Sequence, residues 1–392
     1  MSQPPSPTDL MDEDELRRLR SEFPILSRKC YLNSCSLGAL PTRGEEALRR
    51  FAEEWHEKGA SAWYDAWLPA AEELRERVAR FLGATPAELA LLPTTSSALS
   101  VLGESVDYGR RNRVVVTELD FPTQIYQWAV KSEVELVVLE SPDGVRIHPE
   151  QFEEAVDDRT AFLATSHVFF TTGHRQDLGV LADIAHRAGA FCLIDGYQGA
   201  GQVPVDLAES GVDAYTAGPL KWLCGGPGLA YLYVRRERIA HLHPRITSWF
   251  AHERPFDFDP HHFAFRTDAR RFELGTPAVP TIRTALAAQK LLDPVGMEAI
   301  AARNRHLTRR LVTGLEERGF RPNISPEPER RTAIVLVAHD EPARAVEILD
   351  GEGIVVDHRP GHVRVSPHFY NTEEEVDTFV EALDRVRAQP RP

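Results

Sequence analysis

Apolar residues recur along this chain with two different periods, and the alternation between them outlines a layered α/β protein. Short apolar runs bounded by turn residues read as strands over 113–119, 134–139, 161–166, 191–194, 211–217 and 229–234, and the run 88–92 leads into a hydroxyl-rich turn at 93–97. Spacings of three and four residues mark helices over 43–59, 70–82, 149–156 and 178–188. Strands interleaved with helices in this way argue for a mostly parallel sheet covered by helices. A second group follows. The stretch 280–292 begins a helical connection and 296–317 is a long amphipathic helix. Strand 332–338, helix 342–350, strands 354–357 and 362–366 and helix 372–387 then form a βαββα-like unit with its own apolar runs. The expected organisation is an arm over 1–20 containing a short charged helix at 12–20, a large domain over 21–285, and a smaller α+β domain over 286–392. The extended stretch 31–41 turns at Ser36 to Gly38, and 21–45 is free to pack on the small domain.

Composition narrows the partners. With 392 residues the chain can bury a large core, and 42% hydrophobic with 27% charged residues is ordinary globular usage. A formal charge of −14 argues against nucleic acid or an anionic membrane as the main partner. The polar, acidic start lacks the apolar segment of a secretory signal, and no apolar run reaches spanning length. Cys30, Cys35, Cys192 and Cys224 show no CxxC spacing, which indicates neither zinc nor a disulfide framework and suggests a reducing cytoplasm. His252, His261 and His262 lie close together in 248–271 without a recognised ligand spacing, so no metal is expected.

Candidate chemistry enters where polar residues close the apolar runs. Asp195 ends the run 191–194, and Lys221 follows 211–217 on a turn. In an open α/β sheet the ligand crevice lies outside the carboxyl ends of the strands, where both would sit. Pyridoxal phosphate (PLP) chemistry needs this pair: a lysine to hold the aldehyde, and an acid to keep the ring nitrogen protonated so that the ring can withdraw electrons. The lysine, once displaced, also serves as a general base.

The segment 191–234 resembles the fold type I PLP-dependent enzymes of the class V aminotransferase group, which includes cysteine desulfurases, kynureninases and isopenicillin-epimerase-like proteins. The resemblance runs from Tyr31 to Leu383 with its motifs in family order. It implies a large domain with a mostly parallel seven-stranded sheet, a smaller C-terminal domain, and a homodimer with active sites at the interface. It makes Lys221 the Schiff-base lysine, Asp195 the ring-nitrogen partner, and Gln198 a contact to the cofactor ring. Thr95 and Ser96 match the phosphate loop; free N–H groups at a helix start suit that task, although capping is their ordinary role. Phe121, in a Phe-Pro-Thr-Gln stretch similar to the kynureninase Phe-Pro-Thr-Asp, is the ring-stacking aromatic, and His167 aligns near the cofactor. Tyr-Leu-Asn-Ser-Cys-Ser-Leu-Gly at 31–38 resembles the kynureninase opening and places Cys35 by the substrate. Trp249 and His252 match a kynureninase-like Trp-x-x-His. Arg271 to Pro277 resembles a desulfurase segment whose threonine, here Thr276, reaches the phosphate across the dimer; its kynureninase counterpart touches substrate. Arg364 matches the arginine that clamps the substrate carboxylate, a task its planar fork suits. Tyr64, among the aromatics of 63–67, either walls the substrate pocket or belongs to a core patch.

Two departures bear on the reaction. The loop 355–363 contains no cysteine, which argues against a persulfide relay, and Leu220 replaces the tyrosine that precedes the lysine in kynureninases. Leu220 offers no side-chain donor, so phosphate binding falls to Thr95, Ser96 and Thr276. The expected activity is a carbon–sulfur or related β-lyase acting on an L-amino acid. A kynureninase-like β-hydrolase, a class V aminotransferase and a non-catalytic amino-acid binder are the alternatives.

Overall fold

A computed structural model describes residues 11–388, so the first ten residues of the expected arm lie outside the described part. The central sheet has seven strands: β1 (Leu89–Leu92), β2 (Arg113–Thr117), β3 (Glu135–Leu139), β4 (Thr160–Ser166), β5 (Phe191–Asp195), β6 (Ala214–Ala217) and β7 (Ala230–Val234). They lie in the order β1-β7-β6-β5-β4-β2-β3. Only β7 runs against its neighbours, because β6 returns directly as β7 without a crossover helix. Val114, Val115, Val116, Leu193 and Ile194 are fully buried, as expected where helices cover both faces. Ser166, Asp195 and Thr216 are register partners, so three strands end side by side on the edge where ligands bind.

A smaller antiparallel sheet holds β8 (Pro322–Asn323), β9 (Val335–Ala338), β10 (Asp357–Arg359) and β11 (His362–Val365), in the order β10-β11-β9-β8. Helices Met297–Glu317, Pro342–Gly351 and Glu373–Ala388 accompany it, and Leu307, Leu311, Val335, Val337, Phe379 and Leu383 share one core. The beginning of the chain joins this region. Cys30 and Tyr31 pair in parallel with Ile354 and Val355, and Asn33 bridges to Ser366, which carries Ser36 to the side of β11.

Element bounds move where side chains intervene. The apolar run 211–217 becomes strand only from Ala214, because Gly211 takes a left-handed φ of 78° to end helix Leu207–Ser210. Asp213 then turns its carboxylate to accept from the Cys192 N–H at 2.8 Å. The run 354–357 splits at Val356. Helix Pro122–Ala129, not expected from periodicity, starts directly after Phe121 with proline at its first position.

Candidate active site

Lys221 occupies the turn after β6, and the opening segment of the chain presses against it. Gly38 donates its N–H to the Leu220 carbonyl at 2.9 Å, and a Cβ at Gly38 would collide with the Lys221 carbonyl. The Ser-Leu-Gly opening therefore needs its glycine for close backbone approach. The Lys221 amine lies 4.9 Å from the ring centroid of Tyr197 and 5.9 Å from that of Phe121. Burial lowers its pKa to about 8; Cys35 and Asp195 act against this, and Arg364 and Arg359 act with it. Asp195, buried at the end of β5, accepts the Tyr197 N–H at 2.9 Å. Burial raises its pKa, with the Tyr197 N–H and the Lys221 charge opposing. A carboxylate so placed is stabilised by a cationic N–H partner, which a protonated pyridine provides.

Behind these residues a carboxylate that sequence reasoning missed ties two strand ends together. Asp120 accepts from the Thr117 N–H and hydroxyl, the Thr165 hydroxyl, and the Ser166 N–H and hydroxyl, at 2.7 to 3.0 Å. Burial raises it to about 6 despite those five donors. It fixes the residue just before Phe121, whose ring packs edge-on to Phe170 at 5.3 Å between centroids.

Two helix starts meet at the expected phosphate loop. Thr94 caps helix Thr95–Gly103 through a reciprocal contact with Ser97, which leaves Thr95 and Ser96 without a capping duty. The Thr95 hydroxyl is buried and has no partner among the described residues. The Ser96 and Thr123 hydroxyls lie 3.2 Å apart, which joins this helix to Pro122–Ala129, and the fully buried Gln124 also has a free amide nitrogen. Neither Thr123 nor Gln124 is expected at the phosphate loop from the sequence, where Gln124 stands out only as a departure from the kynureninase motif; Pro122, which can open a helix, is the available signal.

Arg364 lies across the cleft, 1% exposed. It donates to the Phe170 carbonyl at 3.0 Å, the Ser36 hydroxyl at 2.6 Å and the Asp357 carboxylate at 2.9 Å, and its Nε is buried without a partner. Asp357 also accepts from Ser36 and Arg359. Burial would raise the Asp357 carboxyl, but the His358 N–H, Arg359, Ser36 and Arg364 together hold it below the ordinary value. The ionised Asp357 thus orients Arg364.

The remaining candidates divide. Cys35 is buried close enough to Lys221 to affect its charge. Gln198 is committed to structure: its amide donates to the Cys35 carbonyl at 3.0 Å and accepts from the Trp222 indole at 2.8 Å. His167 is buried beside the Tyr215 hydroxyl at 3.0 Å, and burial lowers its pKa to about 3, so its ring is neutral. His252 accepts the Arg254 N–H at 2.9 Å and therefore donates from Nε2 to the His262 carbonyl at 3.1 Å; both nitrogens are spent within its own loop. Trp249 groups with Phe256 and Phe258, and Tyr64 packs on Phe256. Thr276 is exposed. Among the described residues no group of three or more His, Cys, Asp or Glu side chains is placed to hold a metal. Tyr197, which faces Lys221, was overlooked because nothing in the chain distinguishes it from the many aromatics of the core.

These groups fit PLP: an amine of lowered pKa, a buried carboxylate, and an unpartnered hydroxyl at a helix start. Fold and site together define a PLP-dependent enzyme of fold type I. The chain belongs to the class-V aminotransferase family, whose pattern matches residues 46–379. It is similar to the uncharacterized aminotransferase YcbU of Bacillus subtilis (strain 168), with 32% identity over 370 residues covering 94% of this chain and 97% of that protein. A kynureninase of Bacillus mycoides (strain KBAB4) is 29% identical over 395 residues, covering 95% and 92%. Among solved structures, the complex of the cystine C–S lyase C-DES with cysteine persulfide has a TM-score of 0.85 at 21% identity, covering 92% of this chain and 99% of that one. That likeness establishes the fold.

Proposed function

We propose that the protein eliminates a β-substituent from an L-amino acid, breaking a carbon–sulfur bond. Bound PLP supplies an aldehyde for the substrate amine and a protonated ring that withdraws electrons from the α-carbon. Lys221 anchors the cofactor and, when displaced, takes the α-proton; an amine with a pKa near 8 is substantially unprotonated just above neutral pH. Asp195 keeps the proton on the ring nitrogen. Thr95 and Ser96, with Thr123 and Gln124 beside them, would hold the phosphate, and Phe121, 5.9 Å from the Lys221 amine, would supply an aromatic face for the ring. Arg364, kept in place by Asp357, binds the substrate carboxylate, and its buried Nε supplies a donor for it.

The observation that carries elimination over hydrolysis is the state of His252, both of whose nitrogens are occupied. A thiol has a pKa near about 8.5, so its sulfur departs as a thiolate without a general acid. Hydrolysis of a carbon–carbon bond needs a second group to direct water, and Leu220 cannot serve. The 29% identity to a kynureninase favours β-hydrolysis as the second reading.

The same proposal includes a cytoplasmic homodimer. All four cysteines are free thiols, and no helix among the described residues is long and apolar enough to cross a membrane. Tyr64, Trp249, Phe256 and Phe258 form an exposed aromatic group suited to burial against a second copy, with Thr276 reaching the partner's phosphate seat.

The test offers the loaded enzyme an S-alkyl cysteine, kynurenine, or an amino acid with a keto acid. Pyruvate and ammonia from the first are expected. Release of anthranilate from kynurenine, with no pyruvate from the thioether, would replace lyase by hydrolase; amino-group transfer to the keto acid alone would replace both.

A further inference from the structure

A second cleft, of about 1000 Å³, lies between helix Met297–Glu317 and the segment 328–333, and shares no lining residue with the Lys221 site. Arg175, Arg305, Arg309 and Arg331 line it. None of the four forms an ion pair among the described residues, in a chain with 59 acidic and 45 basic side chains. Glu298 and Glu329 also line the cleft, but neither pairs with these arginines. Arg305 and Arg309 stand one helical turn apart, a spacing at which like charges repel. Arg175 donates to the Glu329 backbone carbonyl at 3.1 Å, and Arg331 to that of Ser325 at 2.7 Å. Burial lowers the pKa of Arg175, and Arg330 and Arg305 lower it further, against the opposing charges of Asp177 and Glu329. Such a convergence of cations is unfavourable until an anion neutralises it.

A buried amide adds an independent pointer. Asn304, 3% exposed, spends one amide atom on His368, with Oδ1 and Nδ1 3.3 Å apart as oriented. The His368 Nε2–H donates to the Trp222 carbonyl at 2.9 Å, so Nδ1 accepts the Asn304 amide N–H, and the Asn304 oxygen is the atom left to a ligand in the cleft that the residue lines. Ala301, Ala302 and Val312 supply apolar wall. The volume matches that of small-molecule sites, and guanidinium groups recognise phosphate and carboxylate through paired charge-assisted bonds.

We propose that this cleft binds a small polyanion, a metabolite carrying two or more phosphate or carboxylate groups beside an apolar portion. Arg305 and Arg309 take one anionic group, Arg175 and Arg331 the other, and the Asn304 amide oxygen accepts from a hydroxyl or amine on the rest of the ligand.

The test uses cofactor-loaded protein, whose phosphate seat at Thr95 is filled. It is titrated with inorganic pyrophosphate or with citrate at constant ionic strength while the thermal midpoint is followed. A saturable rise is expected with at least one of them, shifted to at least about ten-fold higher concentration in the double variant R305A/R309A. That variant keeps the wild-type midpoint without anion, since alanine suits the exposed helix face and a repulsion is removed. Pyrophosphate acting at lower concentration than citrate assigns the site to phosphate groups, and the reverse to carboxylates. A flat wild-type midpoint with both anions, or the same saturable rise in the double variant, overturns the proposal.

Discussion

Lys221 is asked to be both an anchor and a base, and its surroundings suit both tasks. Removing the amine from water disfavours its charged form, and the result is a pKa of about 8 in place of 10.5. The consequence for the apoprotein is a rate of PLP capture that climbs with pH and levels off above about 8. An ordinary lysine would keep accelerating toward 10.5, and that outcome would contradict the burial described. The same shift has a sign in stability. Between about 8 and 10.5 the unfolded lysine holds a proton that the folded one has released, so this group favours the folded apoprotein increasingly as pH rises through that window. Lys221 and Asp195 are legible in the chain because Asp195 closes an apolar run at a strand end and Lys221 stands on the turn just beyond another. Asp120, Asp357 and Tyr197 are not: Asp120 draws donors from Thr165 and Ser166, some 45 positions away, and Asp357 reaches Ser36 across 321 positions. No local pattern encodes such pairings.

At the scale of elements, what positions the site is a set of strand ends and helix starts held by polar side chains. Part of the Arg-Phe-Glu-x-Gly-Thr-Pro motif proves to be scaffolding. Arg271 donates to the carbonyls of Ile239, Leu242 and Arg266, and Glu273 pairs at 2.7 Å with the buried Arg75 while accepting the Leu91 N–H at 3.0 Å. Glu273 thus fastens the edge strand β1, which leads straight into the phosphate loop. Replacing it by alanine would leave the buried Arg75 with only the half-exposed Glu72, at 3.4 Å, as counter-charge, beside an unpaired backbone N–H. The expected loss is about 3–5 kcal/mol in denaturant-induced unfolding; a loss below about 1 kcal/mol would mean that β1 is held by packing alone. Strand positions were readable from apolar runs and helix positions from period, yet the direction of β7 and the helix Pro122–Ala129 were not. The first depends on tertiary pairing. The second is a helix of only 8 residues, too short for a period to stand out, whose first residue is a proline.

For the whole molecule, the alternation of strands and helices sufficed to anticipate a parallel-rich sheet followed by a smaller α+β unit, whose sheet proves antiparallel. It could not show that the chain's opening segment crosses to the small sheet, or that this crossing completes the cleft by bringing Ser36 to Arg364 and Gly38 to Lys221. The site is therefore assembled from five stretches, around residues 31–38, 94–97, 120–124, 195–221 and 357–364, and exists only in the folded chain. The exposed aromatic group and Thr276 extend the same logic to a second copy. The central claim is that one amine in this assembly holds the cofactor. Reducing the PLP-loaded protein with borohydride and mapping the modified peptide by mass tests it most directly. A single pyridoxyl adduct on Lys221, absent from K221A while that variant remains folded, is the predicted result; an adduct on another lysine, or the same labelling in K221A, would contradict the account.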